Sequence, residues 1–490
     1  MIDTKAIRSK ILDLAIRGKL TEQLPEDGTA EELYQQIQAE KQALIKEGKI
    51  KKEKPLPEIK EDEIPFEIPN NWKWVRLGNI SLQITDGTHR TPTYQKDGIP
   101  FLSVKNISAG FLDLSDIKYI SPNEHNELTK RCKPERNDIL VCRIGTLGKA
   151  LRIDTDLAFS IFVSLGLIKT GNKVLSNHIV SVINSEYGSN WIQRIKAGGA
   201  MHAYKINLTD LNILLIPLPP LAEQNRIVEK IEQAFSALDT IDALQAQYAD
   251  NLTVLKSKLI DLAIRGKLTE QLPEDGTAEE LYQQIQEEKQ ALVKSGKIKK
   301  EKPLPEIKED EIPFEIPDNW KWVRLGEIAT VMGGKRIPAG RSLTQENTGH
   351  KYIRVSEMKN RTVITDGLLY VPEDIYPSIS QYIINKEDVY ITVAGTIGRV
   401  GKIPPEIDGA NLTENADRIV FSVLDQDWLI LCLSSSEVQK QIELLTTSVA
   451  QPKLAIKRIQ EFLISLPPLA EQKRIVDRLE KLLAVCDEMR

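Results

Sequence analysis

Chemistry-bearing residues cluster in short glycine-turned segments. The segment DGTHRTP at 86–92 places Thr88, His89, Arg90 and Thr91 behind a glycine turn. Small polar and basic side chains of this kind suit base edges and phosphates of nucleic acid, although an ordinary surface turn has the same composition. Lys105 and Asn106 follow the strand-like FLSV and are placed to line the same face. RIGTLGK at 143–149 and AGTIGRVGK at 394–402 carry glycines that allow a backbone to approach a phosphate. Their spacing is neither GxxxxGK[ST] nor GxGxxG, so a nucleotide loop is rejected in favour of tight turns exposing Arg143, Thr146 and Lys149, or Thr396 and Arg399. His202, Tyr204 and Lys205 stand where Gln451 and Lys453 stand later in the chain, and the two lysines align at a shift of 248 residues. Both suit a phosphate contact, against the plainer reading of solvated lysines. Lys335, Arg336, Arg341, Arg354 and Arg361 are a further basic supply.

Covalent chemistry finds no foothold. The five histidines show no HExxH or other metal spacing, and GxSxG, a PD-(D/E)xK-like cluster and the methyltransferase phrases NPPF and DPPY are absent. Cys132, Cys142, Cys432 and Cys486 are scattered without a CxxC pair, which fits a reducing cytosol and argues against disulfides or a structural zinc. No catalytic or metal residues are therefore assigned. The N-terminus is amphipathic and charged rather than a signal peptide, and the most apolar run, WLILCL at 428–433, is too short to span a bilayer.

These segments sit within an internal repeat. Residues 9–80 recur at 257–328 with 7 differences in 72 positions, and 216–234 is echoed at 465–482. Between the copies lie largely dissimilar inserts, 75–215 and 323–463, with faint mutual likeness: NDILVCRIGTLGKA parallels EDVYITVAGTIGRVGK. Two near-identical frames suit two identical partners, and two divergent inserts suit two different ligands. Recent duplication followed by drift explains this less well, because drift would not spare the flanks while rewriting the middles. The net charge is −5 overall, but insert one holds 17 Lys+Arg against 12 Asp+Glu and insert two 16 against 17, so the frame carries the acidity. Strand-like runs broken by Gly, Pro and Asn predict a mixed α/β globule in each insert.

Residues 221–266 follow Pro-Pro and contain no proline and no glycine before Gly266. Two heptad series run through them: Ile231, Leu238, Leu252 and Leu259, with Gln245 as a polar break, and Ala234, Ile241, Tyr248, Leu255 and Leu262. This predicts a coiled-coil helix of roughly 65–70 Å. The chain ends carry the same pattern split in two, so the sequence reads as a cyclic repeat opened within one helix. Seven segments follow: 1–22, the first part of a composite helix; 23–74, a scaffold arm; 75–215, the first insert domain; 216–266, the central helix; 267–322, the repeated arm; 323–463, the second insert domain; and 464–490, the rest of the composite helix. The lysine-rich KEGKIKKEK at 46–54 and its copy at 294–302 lie in the shared frame, which favours a solvated arm or docking segment. In NWKW, Trp72, Trp74, Trp320 and Trp322 fit core packing or docking better than base stacking.

The LPPLAEQ-x-RIV helix starts within 217–228 and 466–476, PxNWxWVRLG at 69–78 and 317–326, and the phrases DGTHRTP and NLTENADRI resemble those of specificity subunits of type I restriction–modification systems. The resemblance covers the whole chain. It implies an α+β protein in which two target-recognition domains are separated by two long antiparallel coiled-coil helices in a cyclic pseudo-twofold repeat. It further implies a bipartite, asymmetric double-stranded DNA target and a cytoplasmic, non-catalytic chain. Two methylation and two restriction subunits are the implied partners, carrying S-adenosylmethionine, ATP and Mg2+, with no membrane and no cofactor on this chain. A protein–protein scaffold, or a combined enzyme with a cryptic active site, is the alternative.

Overall fold

The computed structural model describes residues 1–199, 202–296, 298, 302–446 and 453–489. Its chain divides into two compact units, 1–245 and 246–490.

In the first unit, helix α1 (Thr4–Ile16) starts where the Asp3 carboxylate accepts from the Ala6 amide. It stops at Gly18, whose φ of +68° any side chain would strain and whose Cβ would lie 2.3 Å from Pro69. Helix α2 (Ala30–Lys46) is nucleated by a Thr29/Glu32 capping box and buries Ala30, Leu33 and Ile37, one face at helical spacing. Strand β1 (Lys73–Arg76) pairs antiparallel with β11 (Leu215–Leu218), closing the base of the insert. Buried Arg76 ties that base together through Glu63, the Pro57 and Glu58 carbonyls and the Ile213 carbonyl. Trp72 is core, donating its indole N–H to buried Glu223 at 2.8 Å, and Trp74 packs edge-on against Phe66.

Within the insert, β2 (Ser81–Asp86), β5 (Ile139–Cys142), β6 (Ala150–Arg152) and β8 (Leu165–Thr170) form an antiparallel sheet in the order β2-β8-β5-β6. A smaller sheet orders β4 (Lys118–Ile120), β3 (Ile99–Leu102) and β7 (Ser160–Ile161), with β3 and β7 parallel. One face of the larger sheet packs with helices α3 (Ser176–Asn184) and α4 (Glu186–Ile195) around Ile139, Val141, Ile179 and Val182; its other face meets the smaller sheet through Leu140, Cys142 and Leu167. A hairpin of β9 (Ala197–Gly199) and β10 (His202–Lys205) follows.

The long helix α5 (Leu221–Ile264) joins one unit to the next along the chain. In the first unit α1 lies antiparallel on its N-terminal part: Leu12 and Ala15 pack with Ile227 and Ile231, Arg8 pairs with Asp239 and Asp242, and Ile2 meets Gln245.

The second unit repeats this plan. Helix α6 (Ala278–Lys294) has the same capping box. Strand β12 (Lys321–Arg324) pairs with β23 (Leu463–Leu466), and Trp320 donates to Glu471 at 2.8 Å. The sheet β13 (Thr330–Gly333), β22 (Ala416–Val420), β19 (Val389–Thr392), β20 (Val400–Lys402) has the order and antiparallel sense of its counterpart. The smaller sheet orders β17 (Leu369–Tyr370), β14 (Lys351–Ile353), β21 (Ala410–Leu412) and β18 (Ile383–Ile384), again with one parallel pair, β14 on β21. A hairpin of β15 (Met358–Lys359) and β16 (Thr362–Val363) is added. Helices α7 (Gln426–Leu433) and α8 (Ser436–Thr446) complete the domain. Helix α9 (Leu469–Glu488) lies antiparallel on the C-terminal part of α5, where Ile475 and Leu479 meet Ala263 and Leu259, and Lys256 pairs with Asp487. The fold class is thus α+β, with mixed sheets in which antiparallel pairing dominates.

The heptad expectation holds for one series only. Ile231, Leu238 and Leu252 are buried, whereas Tyr248, Leu255 and Leu262 are 39–40% exposed. Each half of α5 is covered on one flank by α1 or α9, which leaves Tyr248, Leu255 and Leu262 of the second series outward while Ala234 and Ile241 are half-buried. Among the described residues no helix is long and apolar enough to cross a membrane.

Candidate nucleic-acid interface

In the first unit the antiparallel order brings the end of β2, the start of β8 and the end of β5 to one end of the sheet, with Asp86 opposite Gly166 and Cys142 opposite Leu165. Gly87 must be glycine: a Cβ there would lie 2.0 Å from the Ile161 carbonyl. The close approach seats Thr88, whose amide donates to Ile161 O at 3.0 Å. Beyond it His89, Arg90 and Thr91 are exposed, and the Thr88 hydroxyl accepts from the Arg90 amide at 3.2 Å.

Beneath this loop lies Asp86. It accepts from Arg143, from Arg131 at 2.5 Å and from His89 at 3.1 Å. Burial alone would raise its carboxyl, but the Arg131 hydrogen bond and the Arg143 and Arg131 charges hold it below the ordinary value. The following turn, 144–148, uses positive φ at Gly145 and Gly148 and leaves Thr146 and Lys149 exposed. Next to it Ile206 donates to the Arg143 carbonyl at 2.9 Å, which puts exposed Lys205 and half-exposed Tyr204 beside the turn. Val104 contacts the position a Gly145 Cβ would take, and Lys105 next to it is exposed.

The second unit builds the same end from different side chains. Gly334 repeats the close approach, with a Cβ position 2.1 Å from the Thr413 carbonyl. Lys335 donates its amide to Leu412 O at 2.8 Å as Thr88 does to Ile161 O, so Lys335 and Arg336 occupy the places of Thr88 and His89. Arg336 is exposed and paired with Glu414 at 2.5 Å. Gly395 and Gly398 carry the positive φ of the second turn, exposing Thr396 and Arg399. Leu454 donates to the Val393 carbonyl at 2.9 Å, the counterpart of Ile206 and Arg143, and puts Lys453 where Lys205 stands. Arg354, after β14, pairs with Glu357 at 2.7 Å.

The two ends therefore gather Thr88, His89, Arg90, Thr91, Lys105, Thr146, Lys149, Tyr204 and Lys205 in one unit, and Lys335, Arg336, Arg354, Thr396, Arg399 and Lys453 in the other. Other expected residues fall elsewhere. Arg143 is buried, its guanidinium bonded to Asp86 and to the Ile206 and Val163 carbonyls, so it organises the loop from below. Asn106 is buried too, its amide bridging the Asp113 and Asp116 carbonyls. Arg361 has a φ of +60° in the β15–β16 turn, where it lines one hollow with Gly398 and Arg399 of the glycine turn and another, of about 250 Å³, with Lys402, Leu479 and Leu483. Arg341 pairs with Asp374 in a separate loop. Gln451 and the side chain of His202 lie outside the described residues. Sequence reading missed Asp86, Arg131 and Glu414; DGTHRTP contained the first, but nothing along the chain linked it to Arg131, 45 residues on.

Among the described residues no group of three or more His, Cys, Asp or Glu side chains is arranged to hold a metal ion. What the geometry offers is two structurally equivalent sheet ends with different exposed side chains, a class of protein that presents two distinct ligand-reading surfaces from one repeated frame. Residues 69–247 and 317–489 each match the type I restriction modification DNA specificity domain, and the chain belongs to that family. It is similar to the type I restriction enzyme EcoEI specificity subunit of Escherichia coli, 29% identical over 99% of this chain and 90% of that protein. The EcoAI specificity subunit of the same species is 28% identical over the same shares. A solved structure from work on complex assembly and conformational transition of the type I R-M system shares the fold, with a TM-score of 0.57 at 19% identity over 87% of this chain and 93% of that one.

Proposed function

We propose that this chain is the sequence-specificity subunit of a type I restriction–modification complex. The target-recognition domains, 75–215 and 323–463, each read one half of a bipartite, asymmetric double-stranded DNA site through the loops at the sheet end. The near-identical frame docks two methylation subunits, and two restriction subunits complete the assembly. S-adenosylmethionine, ATP and Mg2+ belong to those partners, the chain itself performs no covalent step, and it works in the cytoplasm beside the DNA.

The observation that carries this reading is the replacement of Thr88 and His89 by Lys335 and Arg336 on the same glycine-seated loop. One frame with two side-chain sets is what an asymmetric target requires, since base identity is read by side chains while phosphates only position the reader. Exchanging residues 75–215 for the corresponding insert of a relative, followed by methylome sequencing, tests it. One half of the methylated sequence should change and the other persist; a change in both halves refutes two independent heads. The purified chain should show no methyltransferase or nuclease activity without added subunits, and detectable turnover would refute the non-catalytic assignment.

A further inference from the structure

The glycine-seated loop of the second unit turns its two cations in different directions. The Lys335 backbone is fixed on both sides: its amide donates to the Leu412 carbonyl at 2.8 Å, and its carbonyl accepts from the Tyr352 hydroxyl at 2.9 Å. The Lys335 ammonium lies over the Tyr382 ring, 5.6 Å from its centroid. The next side chain, Arg336, is 72% exposed, and its Nε donates to one Glu414 carboxylate oxygen at 2.5 Å. The other Glu414 oxygen accepts from the Thr413 hydroxyl at 3.1 Å, so the carboxylate is itself held. Among the described residues, Nη1 and Nη2 of Arg336 have no partner. The other arginines gathered at this end are engaged differently. Arg354 places Nε and Nη2 on Glu357, and Arg399 donates Nη1 to the Met358 carbonyl at 3.3 Å. In the first unit both members of the Arg336–Glu414 pair are replaced. His89 stands in the place of Arg336. The matching bonds from the Arg143 amide to the Ser164 carbonyl and from the Val393 amide to the Asn415 carbonyl put Val163 in the place of Glu414. Arginine and carboxylate therefore change together between the two heads.

We propose that Arg336 reads a guanine in the half-site of the second recognition domain, with Glu414 as its positioning residue. The proposal deepens the DNA-reading assignment above and rests on it. A guanidinium is planar, and once Glu414 holds the Nε–H the remaining fork is the end formed by Nη1 and Nη2, two parallel donors. In the major groove guanine alone presents two neighbouring acceptors, O6 and N7, to such a fork. Adenine sets an amino donor beside its one acceptor, cytosine presents an amino donor, and thymine sets a methyl group beside its acceptor. A phosphate also accepts two donors, but it is an anion, and the Glu414 carboxylate beside the guanidinium offsets the charge that would draw it. A neutral base edge meets no such opposition. The tether also removes side-chain freedom before DNA arrives, so the fork is preorganised rather than ordered on binding. Lys335 is a point charge turned toward Tyr382 and has no fork to offer.

The test uses the full chain assembled with its methylation subunits. Methylome sequencing supplies the cognate site, and insert exchange identifies the half read by 323–463. Each guanine of that half, on either strand, is replaced in turn by 7-deazaguanine, which pairs normally but lacks the N7 acceptor. Duplex affinities are measured at fixed salt. At one position the wild type should lose affinity about three- to tenfold, and Arg336→Ala should lose nothing further there. Arg336→Lys keeps the charge without the fork. It should hold a duplex altered in that half as tightly as the wild type does, yet be indifferent to the 7-deazaguanine. Glu414→Ala frees the arginine, so it should bind the altered duplex more tightly and lower the cognate to altered ratio about threefold or more. Thermal melting of each variant excludes unfolding as the cause. A half without guanine, or one in which no guanine is coupled to Arg336, overturns the readout; uniform weakening of every duplex by Arg336→Ala would assign that side chain to a phosphate instead. A Glu414→Ala protein that keeps the wild-type ratio overturns the role of Glu414. Absence of any methylated bipartite sequence overturns the DNA-reading assignment itself.

Discussion

Arg143 shows how one side chain divides between stability and recognition. A basic residue before a glycine turn reads as a DNA contact, yet its guanidinium is buried against Asp86, and the exposed residues are those it supports. Arg143→Ala should therefore destabilise the first unit by about 3 kcal/mol, the cost of stripping a partner from a buried ion pair, measurable by denaturant unfolding. Lys205→Ala should leave stability unchanged within about 0.5 kcal/mol while weakening binding across all sequences and lowering the salt slope by about 1. Asp417 makes a prediction of opposite sign. Its folded carboxyl titrates at about 6 against an ordinary 3.8, so between these values the folded chain holds the extra proton. Its burial penalty is fully present above about pH 6, is relieved as the pH falls toward 3.8, and amounts to about 3 kcal/mol at most. Asp417→Asn should raise the melting temperature at pH 7.5, with the gain shrinking by pH 4.5; an undiminished gain at low pH would remove the titration as its cause. At this scale the sequence disclosed which loops matter, through glycine and basic residues at a shared offset. It did not disclose which of them face out, because Arg143 is bonded to groups brought close only by the sheet order, and Asn106 to the carbonyls of Asp113 and Asp116 in the loop that follows it.

The long helix was legible because a heptad repeat needs no tertiary information. Its length and start agree with the Pro-Pro boundary, and its first apolar series is buried as the period requires. The second series is not, since coverage depends on partners the period cannot count: α1 and α9 each shield one flank. Leu252, 7% exposed, and Leu255, 40% exposed, sit three residues apart and separate the two cases. Leu252→Ala should cost about 2–4 kcal/mol, whereas Leu255→Ala should cost under about 1 kcal/mol in the isolated chain. Equal losses in urea unfolding would mean that both series are packed in solution. Strand order was beyond the sequence. The similarity of 137–150 to 387–402 implied a common fold, but only pairing registers reveal that Gly87 and Gly334, or Lys205 and Lys453, occupy the same place.

At the scale of the molecule, the repeat makes α5 the element whose length both recognition domains share. We propose that it sets the number of unread base pairs between the half-sites, and its contacts show where the length can be altered. In the first unit α1 reaches Gln245 through Ile2; in the second α9 reaches Tyr248 through its Met489 carbonyl. Residues 246 and 247 therefore fall between the two sets of packing contacts, and an insertion there leaves each antiparallel pair intact. Four added residues advance the helix by about 6 Å and turn it by about 400°, within about 40° of the original facing. One base pair advances about 3.4 Å, so the shift corresponds to about one to two base pairs. The four-residue variant should methylate the same two half-sequences with a spacer longer by that amount. Two added residues advance about 3 Å but rotate by about 200°, turning one head away from the groove that it reads. That variant should fold, with each unit melting as before, yet lose methylation of any bipartite site, because no small change of spacer restores a half-turn. Methylome sequencing of hosts carrying each variant measures both outcomes. A four-residue variant that folds, methylates and keeps the original spacer would show that the distance is set elsewhere than in α5.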